Sequence, residues 1–561
     1  MSLDRCLFAV RSHGGDGRDL VASRVDLLTK FYAPLGASGQ SLLREPAPGI
    51  AIGVVDLGEG RPDADDVLTF GGALPPGLDS AAELRGAGDS TLRSLPGAVA
   101  AVAADTAGVC LITGPVAPTM LYEASAEGAT AWSTHAVAAS FLATGFARVD
   151  PSALPVFVAS EYVGGDRSLI AGVRALPVAT RVVATAGGVD KRSYWPADER
   201  WSSIEPETAQ HEGEQALLAT LGAALEATTL PVLGLTGGID SRVAAVAMRE
   251  LGLEFETMTF GEPDWPDVRA GERMAETLGV GHKFVALELW SDEEAVRRVS
   301  GEVRWNEGAI FVGFGRVPVP PPIGAWVTGA GAETGRAYYH RHVDGDREQA
   351  EFDELSATML QALVRRVRGA RPEAFELLGE RVGAWLADAR AAGATGWRAL
   401  DLLYAEQRVM SWGRANLPRE PAPMVFAFAH PRVQRALASL PVTDRRADAF
   451  HRRFLARFAP EVALNESRER SGVLRRALRR VGRSRGRRSV LADHWGDRPR
   501  FRSWVDDLLA SPMLADQLGS VWVDRVRRGF ERGDPELEEL AMWAVAPIAL
   551  DAQLAELNRT G

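Results

Sequence analysis

The stretch from Leu230 to Arg242, LPVLGLTGGIDSR, constrains the fold more than any other part of the chain. It begins as a short apolar run, breaks at the letters TGG and continues from Val243 as an apolar helical pattern. This order predicts a buried strand, a glycine turn and a helix. In an open α/β sheet such a turn lies at the carboxyl end of the strand, where the helix start presents unpaired N–H groups to an anion.

The turn suits a phosphate, although it fits neither the Walker nor the dinucleotide glycine pattern. Its glycines allow the backbone to approach phosphate oxygens, and Asp240 offers a carboxylate for Mg²⁺. The alternative is an ordinary Gly-Gly turn before a helix that Asp240 or Ser241 caps. The residues predicted to bind the phosphate are Leu235, Thr236, Gly237, Gly238, Asp240 and Ser241.

Composition indicates a globular protein with more than one hydrophobic core. The 561 residues are 46% hydrophobic and 24% charged, and no apolar run approaches the ~20 residues of a membrane span. The start lacks a signal-peptide pattern, so we expect a cytoplasmic protein that does not bind membranes. The net charge of −11 argues against nucleic acid as a partner. Cys6 and Cys110 cannot form a disulfide framework, and we expect both to be buried in strands.

The pattern of elements changes near residue 205. Residues 1–205 show short strands, Gly/Pro turns and interleaved helices, which predict a sheet-rich α+β domain. Residues 189–195 and 162–166 are predicted to be loops. Residues 206–561 begin with alternating strands and helices, which predict a parallel sheet, and become almost wholly helical from about residue 353.

Two further strand ends carry glycine. The strand that precedes Gly329 leads into GAGAE, which contains Gly331 and ends at Glu333, and another predicted strand ends at Phe260-Gly261. Because parallel strands end at one edge of a sheet, we expect the two glycine loops, at residues 236 and 329, to face the same crevice. A surface acid in a turn is the alternative for Glu333.

Together these motifs resemble the asparagine synthetase family, which includes the β-lactam synthetases and the lasso-peptide cyclases. Thr236 to Ser241 resembles the family's pyrophosphate loop, and Gly329 to Glu333 resembles its second loop. The family's adenine-side strand and the helix after it resemble Phe260-Gly261 and Pro266-Asp267. Its late helical segment resembles His430 to Val433. The resemblance implies an N-terminal glutaminase-like (Ntn-type) α+β sheet sandwich. An α/β PP-loop ATP pyrophosphatase domain with a helical C-terminal extension would follow it.

The resemblance also implies chemistry that uses ATP and Mg²⁺. A carboxylate is adenylated, pyrophosphate leaves, and an amine then attacks the acyl carbon to form an amide. Asp240 and Glu333 would hold the metal. Independently of the resemblance, Tyr339 and Glu406 are a candidate tyrosine–carboxylate pair for deprotonating the amine, and the alternative is a buried aromatic pair and a surface glutamate. No lysine follows Lys283, so Arg468 or Arg470 would replace a lysine that the family uses.

The N-terminus departs from the family. A glutamine-hydrolysing member uses an N-terminal cysteine, whereas Met1 is followed here by Ser2, and Cys6 would require trimming. We therefore expect a degenerate amidotransferase-like domain at 1–205, with the amine supplied by a substrate or by free ammonia.

Three functions stay open. The first is a ligase for a small-molecule or peptide carboxylate and amine, such as a lasso-peptide cyclase served by a precursor peptide and its delivering protein. An arginine-rich segment, residues 468–503, with 13 arginines against three acidic residues, favours a peptide, although such a run is also typical of a solvated face. The second is an asparagine synthetase that uses glutamine or ammonia. The third is a catalytically silent nucleotide-binding scaffold.

Overall fold

The computed structural model describes residues 5–560 apart from short gaps and several longer segments. The omitted residues are 14–17, 34–39, 57–66, 72–73, 75–76, 96, 98, 117–119, 186, 227, 262, 264, 287–289, 311–323, 340–351, 395, 397, 410–423 and 464–497. Met1, Ser2, Arg468 and Arg470 therefore lie outside the described residues, and the predictions made for them are not tested.

Two antiparallel sheets form the first part of the chain. Their orders are β2-β3-β1-β8-β7-β9 and β11-β10-β6-β5-β4. The strands are β1 (Arg5–Ser12), β2 (Gln40–Ala47), β3 (Ile50–Asp56), β4 (Val67–Gly71), β5 (Val99–Asp105), β6 (Gly108–Thr113), β7 (Tyr122–Ser125), β8 (Ala129–Ser133), β9 (Arg174–Ala175), β10 (Thr180–Thr185) and β11 (Gly188–Ser193).

Alternation along the strands places the two sheets face to face. Leu7 of β1 and Val102 of β5 share one buried cluster, whereas Phe8 turns to the other side of its sheet. Helices cover both outer faces, which gives four layers and an α+β architecture. These helices are α1 (Arg18–Tyr32), α2 (Ala81–Gly86), α3 (Asp89–Leu92), α4 (Ala136–Thr144), α5 (Leu154–Ser160) and α6 (Ala197–Arg200).

Two predictions for this part have clear outcomes. Cys6 and Cys110 lie buried in β1 and β6, as expected. The prediction of a loop at residues 189–195 was wrong, because Gly188–Ser193 pairs with β10 as an edge strand. Its side chains are mostly exposed on both faces, so the sequence lacks the apolar alternation that marks a half-buried strand.

The third sheet is parallel throughout, as the sequence predicts. Its order is β14-β13-β12-β15-β16, so the chain leaves the central strand β12 toward one edge and then returns to β15 on the other side. The crevice expected of such a sheet lies between β12 and β15. The strands are β12 (Pro231–Gly234), β13 (Glu256–Gly261), β14 (Gly281–Ala286), β15 (Ala325–Thr328) and β16 (Met424–Phe426).

Helices connect these strands and build the rest of the chain. The connecting helices are α7 (Pro206–Leu225), α8 (Ile239–Glu250), α9 (Pro266–Leu278) and α10 (Asp292–Trp305). The described residues after 352 are mostly helical, as predicted, except that β16 was missed. The later helices are α11 (Phe352–Val364), α12 (Pro372–Ala391), α13 (Arg398–Leu402) with a π-helical continuation (Leu403–Arg408), α14 (Pro431–Ser439), α15 (Val442–Arg446), α16 (Ala449–Phe458), α17 (Pro499–Leu509), α18 (Pro512–Leu518), α19 (Ser520–Glu531) and α20 (Pro535–Thr560).

Helix α20 is long and apolar enough to cross a membrane by length and composition alone. Its apolar window has a mean hydropathy of 1.3, and 72% of that window is buried inside the protein. The apolar side chains of α20 belong to the cluster that also contains those of α10, α12 and α17. Its composition is therefore accounted for by packing within the protein.

The change from antiparallel to parallel pairing falls between β11 and β12, near the predicted boundary at 205. Apolar clusters nevertheless cross it. One face of the parallel sheet carries Val232, Met258 and Trp326. These side chains belong to the same apolar cluster as the side chains packed between the two antiparallel sheets. The division into domains at 1–205 and 206–561 therefore stays a prediction.

A glycine at this junction gives a test of the packing. An alanine Cβ at Gly97 would lie 1.3 Å from the carbonyl oxygen of Ala429, so Gly97→Ala requires the backbone to move. We expect a loss of about 2 kcal/mol or more in the free energy of unfolding, measured by urea denaturation. Gly86→Ala is the control, since nothing lies within 4 Å of its new Cβ. Equal stability of the two variants would contradict this packing.

Candidate functional site

Three strand ends meet at the carboxyl edge of the parallel sheet. A Cβ at Gly329, just after β15, would lie 2.8 Å from the carbonyl carbon of Asp240, so the loops after β12 and β15 touch through their backbones. Asp267, which begins α9 after β13, accepts a hydrogen bond from the Gly237 N–H at 3.2 Å. The predicted adjacency of the loops after β12 and β15 is therefore confirmed.

The loop after β12 is ordered largely by its own side chains. Ser241 Oγ accepts from the Thr236 N–H at 3.2 Å, and Thr236 Oγ1 accepts from the Gly238 N–H at 3.1 Å. Arg242 donates to the Gly237 carbonyl at 2.6 Å. Thr236 and Gly238 are exposed. The loop is thus open to a ligand, and a phosphate that binds the two glycine N–H groups would replace their bonds to Asp267 and Thr236.

Asp240 faces two basic side chains from separate elements. Its Oδ2 lies 2.9 Å from Arg336 Nη1. Its Oδ1 lies 3.2 Å from Nε2 of the buried His451, within ion-pair distance but without hydrogen-bond alignment. Burial alone would raise the pKa of Asp240, but His451 and Arg336 outweigh it and lower the pKa. Asp240 is therefore an ionised carboxylate with one buried oxygen that lacks an aligned hydrogen bond.

Glu333 is the second carboxylate at this edge. It lies in a 3₁₀ turn, Ala332–Arg336, and its Oε2 accepts from the Tyr404 hydroxyl at 2.5 Å and from the Gly331 N–H at 3.2 Å. Burial and the negative charge of Asp240 raise the pKa of Glu333, against the effect of the Tyr404 hydrogen bond. The two carboxylates therefore repel each other, and a cation between them would relieve that repulsion.

These two acids fit a magnesium ion that takes its remaining ligands from phosphate and water. Such an ion commonly uses only one or two protein carboxylates. Within the described ranges, no group of three or more His, Cys, Asp or Glu side chains is placed to hold a metal ion. The metal role of Asp240 and Glu333 stays a prediction.

Gln434 on α14 holds the second loop in place. Its amide nitrogen donates to the carbonyls of Gly331 and Phe428, both at 2.7 Å, and its oxygen accepts from Thr334 Oγ1 at 2.6 Å. His430 caps α14 by accepting from the Arg432 N–H at 3.3 Å. Burial lowers the pKa of His430 to about 3, so the imidazole is neutral and can accept this bond. The HPRV segment thus positions Glu333 through Gln434.

Tyr339 and Glu406, predicted as a proton-transfer pair, have different partners. The Tyr339 hydroxyl lies 3.0 Å from that of Tyr162. Glu406 is buried and accepts from Arg200 Nη2 at 2.7 Å and from Trp201 Nε1 at 2.6 Å. The tyrosine that contacts a carboxylate of the crevice is instead Tyr404. The π-helical turn Leu403–Arg408 changes the angular spacing of side chains, so helical periodicity does not predict which of them face the crevice.

The other predicted binding residues line the edge of the sheet. Leu235 is buried and donates its N–H to the Met258 carbonyl at 2.8 Å. The Phe260 ring packs 5.5 Å from the Trp326 ring. Gly261 and Gly331 have φ values of 151° and 91°, a region that favours glycine. These four residues shape the crevice through backbone and packing.

Five residues of the site were not predicted from the sequence, namely Arg336, Asp448, His451, Tyr404 and Gln434. Arg336 was the most accessible to such reasoning, since it follows Glu333 by three residues in a glycine loop. The others lie far along the chain in helices whose sequences carry no motif for this chemistry.

Comparisons with known proteins add little to this description. No family model and no curated protein matches the chain. A solved structure titled glutamine phosphoribosylpyrophosphate (PRPP) amidotransferase from B. subtilis complexed with ADP and GMP is similar at 11% identity, with a TM-score of 0.22. Another, titled structure of the allosteric regulatory enzyme of purine biosynthesis, is similar at 10% identity with the same TM-score. Each match covers 50% of this chain and 65% of the other, and at this TM-score it carries no inference.

The raised pKa of Glu333 predicts a stability gain when its charge is removed. The folded state binds a proton at Glu333 more tightly than the unfolded state does, so ionisation at neutral pH costs stability. We expect Glu333→Gln to raise the free energy of unfolding at pH 7, by on the order of 1 kcal/mol or less because the group is only half-buried.

Urea denaturation at pH 7 and pH 4 measures this effect. The gain should shrink at pH 4, where the wild-type carboxyl is protonated. Glu373→Gln is the control, because its hydrogen bond with Arg371 lowers the pKa of that exposed acid and removing the charge should give no gain. A loss of stability in Glu333→Gln at pH 7 would contradict the electrostatic account.

Proposed function

We propose that this chain is an ATP-dependent carbon–nitrogen ligase that adenylates a carboxylate and joins it to an amine. One observation carries the proposal. The loops after β12 and β15 meet at one edge of a parallel sheet, and their carboxylates, Asp240 and Glu333, are close enough for the charge of one to raise the pKa of the other. A nucleoside triphosphate with its magnesium ion suits a site where paired acids lie beside an open glycine loop at a helix start.

The proposed reaction has two steps. An oxygen of the substrate carboxylate attacks the α-phosphorus of ATP, and the bond to pyrophosphate breaks. The amine then attacks the acyl carbon, loses a proton, and AMP leaves with the electron pair of the broken C–O bond. Magnesium held by Asp240, Glu333 and phosphate oxygens would neutralise charge on the departing pyrophosphate.

The protein's own residues bind and orient the reactants. The loop Thr236 to Ser241, which is exposed at Thr236 and Gly238, would accept the phosphates in the crevice. Tyr404 fixes the Glu333 carboxylate, and burial together with the charge of Glu333 raises the pKa of Tyr404, so the phenol stays a hydrogen-bond donor. Gln434 prevents the second loop from shifting. These contacts hold the site in one geometry before the substrates bind, which is how such sites gain rate.

The buried cysteines of the antiparallel part support a reaction in which the amine is not released from glutamine. Cys6 and Cys110 are both buried, and burial raises the pKa of Cys110 to about 11, which keeps that thiol protonated. We therefore propose a substrate amine or free ammonia, with a small-molecule or peptide carboxylate as the acyl partner. Ring closure in a precursor peptide is one case of this chemistry. Most of the arginine-rich segment that favours a peptide lies outside the described residues.

Isotope exchange between ATP and pyrophosphate tests the proposal. We expect Mg²⁺-dependent exchange with one carboxylate among aspartate, other amino acids and peptides. Asp240→Ala should reduce it by roughly 100-fold or more, a typical loss when a group that stabilises transition-state charge is removed. Asp444→Ala is the control, since Asp444 pairs with Arg453 at the surface. Binding of ATP without exchange for any carboxylate would favour the silent scaffold instead.

A further inference from the structure

We infer that Arg336 binds the phosphates of the nucleotide directly and supplies the permanent positive charge of the site. The inference rests on the proposed function, because it assigns a role at the same crevice. It concerns a residue that has no part in the loop motifs and that only the folded chain brings to Asp240.

The lysines of this chain are placed elsewhere. Lys30, Lys191 and Lys283 are the only lysines in the sequence. Each pairs with an acid at the surface, namely Asp26 at 2.7 Å, Glu123 at 3.0 Å and Glu256 at 2.6 Å. None of these pairs involves a residue of the loops after β12 and β15. A side chain that brings a permanent positive charge to the phosphates is therefore an arginine and not a lysine.

Arg336 is positioned by two acids from separate elements. Its Nη1 lies 2.9 Å from Asp240 Oδ2, and its Nε lies 3.1 Å from Oδ1 of Asp448. Asp448 occupies the N-cap position of α16 with a left-handed φ of 56°, and its side chain makes no capping hydrogen bond to the helix. The side chain of Arg336 is 28% exposed, so part of it stays accessible to solvent while the two acids hold it.

The geometry favours an exchange of partners when phosphate arrives. A guanidinium presents five donors in a plane, and the two carboxylates engage it through single contacts. A phosphate group offers several charged oxygens and can accept two parallel hydrogen bonds. Asp448 would keep Arg336 in place while the contact to Asp240 is given up. The alternative is that Arg336 only ties the two loops together.

Calorimetric titration with ATP and with inorganic pyrophosphate separates these two roles. We expect Arg336→Gln to weaken both ligands by about tenfold or more, the typical effect of losing a charged hydrogen bond. Arg336→Lys keeps the charge but cannot make two parallel hydrogen bonds, so it should lose less affinity than Arg336→Gln does. The matched control is Arg453→Gln, an exposed arginine on the same helix as His451, which pairs with Asp444 and should bind as wild type does.

Two further variants exclude indirect effects. Asp448→Asn keeps the positive charge, so the affinity for pyrophosphate should not fall. The double variant Arg336→Gln with Asp448→Asn has the wild-type net charge, and its affinity should stay low because a contact has been lost. Circular dichroism checks that each variant is folded.

Three results would overturn the inference. They are unchanged affinity in Arg336→Gln, a loss in Asp448→Asn as large as that in Arg336→Gln, and recovery of affinity in the double variant. In each of these cases wild-type binding of ATP still stands, and so does the proposed function. Failure of the wild-type protein to bind ATP would instead refute the proposed function and the inference together.

Discussion

The site depends on the close backbone contact between Gly329 and Asp240. Neighbouring parallel strands end at one edge, but only a residue without a Cβ lets the loop after β15 lie against the start of α8. That contact brings the charge of Glu333 near Asp240 and allows Arg336 to reach across. The electrostatics of the crevice therefore follow from a steric fit that the sheet topology imposes.

A second layer keeps this arrangement from relaxing. Gln434 satisfies three polar groups around the second loop, and the buried Arg445 donates to the Thr334 carbonyl while it pairs with Asp401 at 2.8 Å. Both side chains come from the late helical segment, so residues far apart in the chain hold the second loop in place. The antiparallel part adds packing from the other side, where Gly97 abuts the Ala429 carbonyl just after β16.

The sequence was informative where a local pattern reports a local structure. Apolar runs that end in glycine identified β12, β13 and β15, and the parallel topology followed from their alternation with helices. It was uninformative where partners are distant in the chain, as for His451 and Asp240. The short strand β16 and the edge strand β11 carry too little apolar periodicity to be distinguished from loops or helices. The rotation of Tyr404 toward Glu333 depends on a π-helical turn, for which no residue pattern was evident.

The most direct test of the central claim is a crystal structure of the protein with Mg²⁺ and a nonhydrolysable ATP analogue. We expect the triphosphate to lie between the loop Thr236 to Ser241 and the loop Gly329 to Glu333. Asp240 and Glu333 should face one metal–phosphate centre. Analogue density at another surface, or a bound nucleotide that leaves both loops uncontacted, would contradict it.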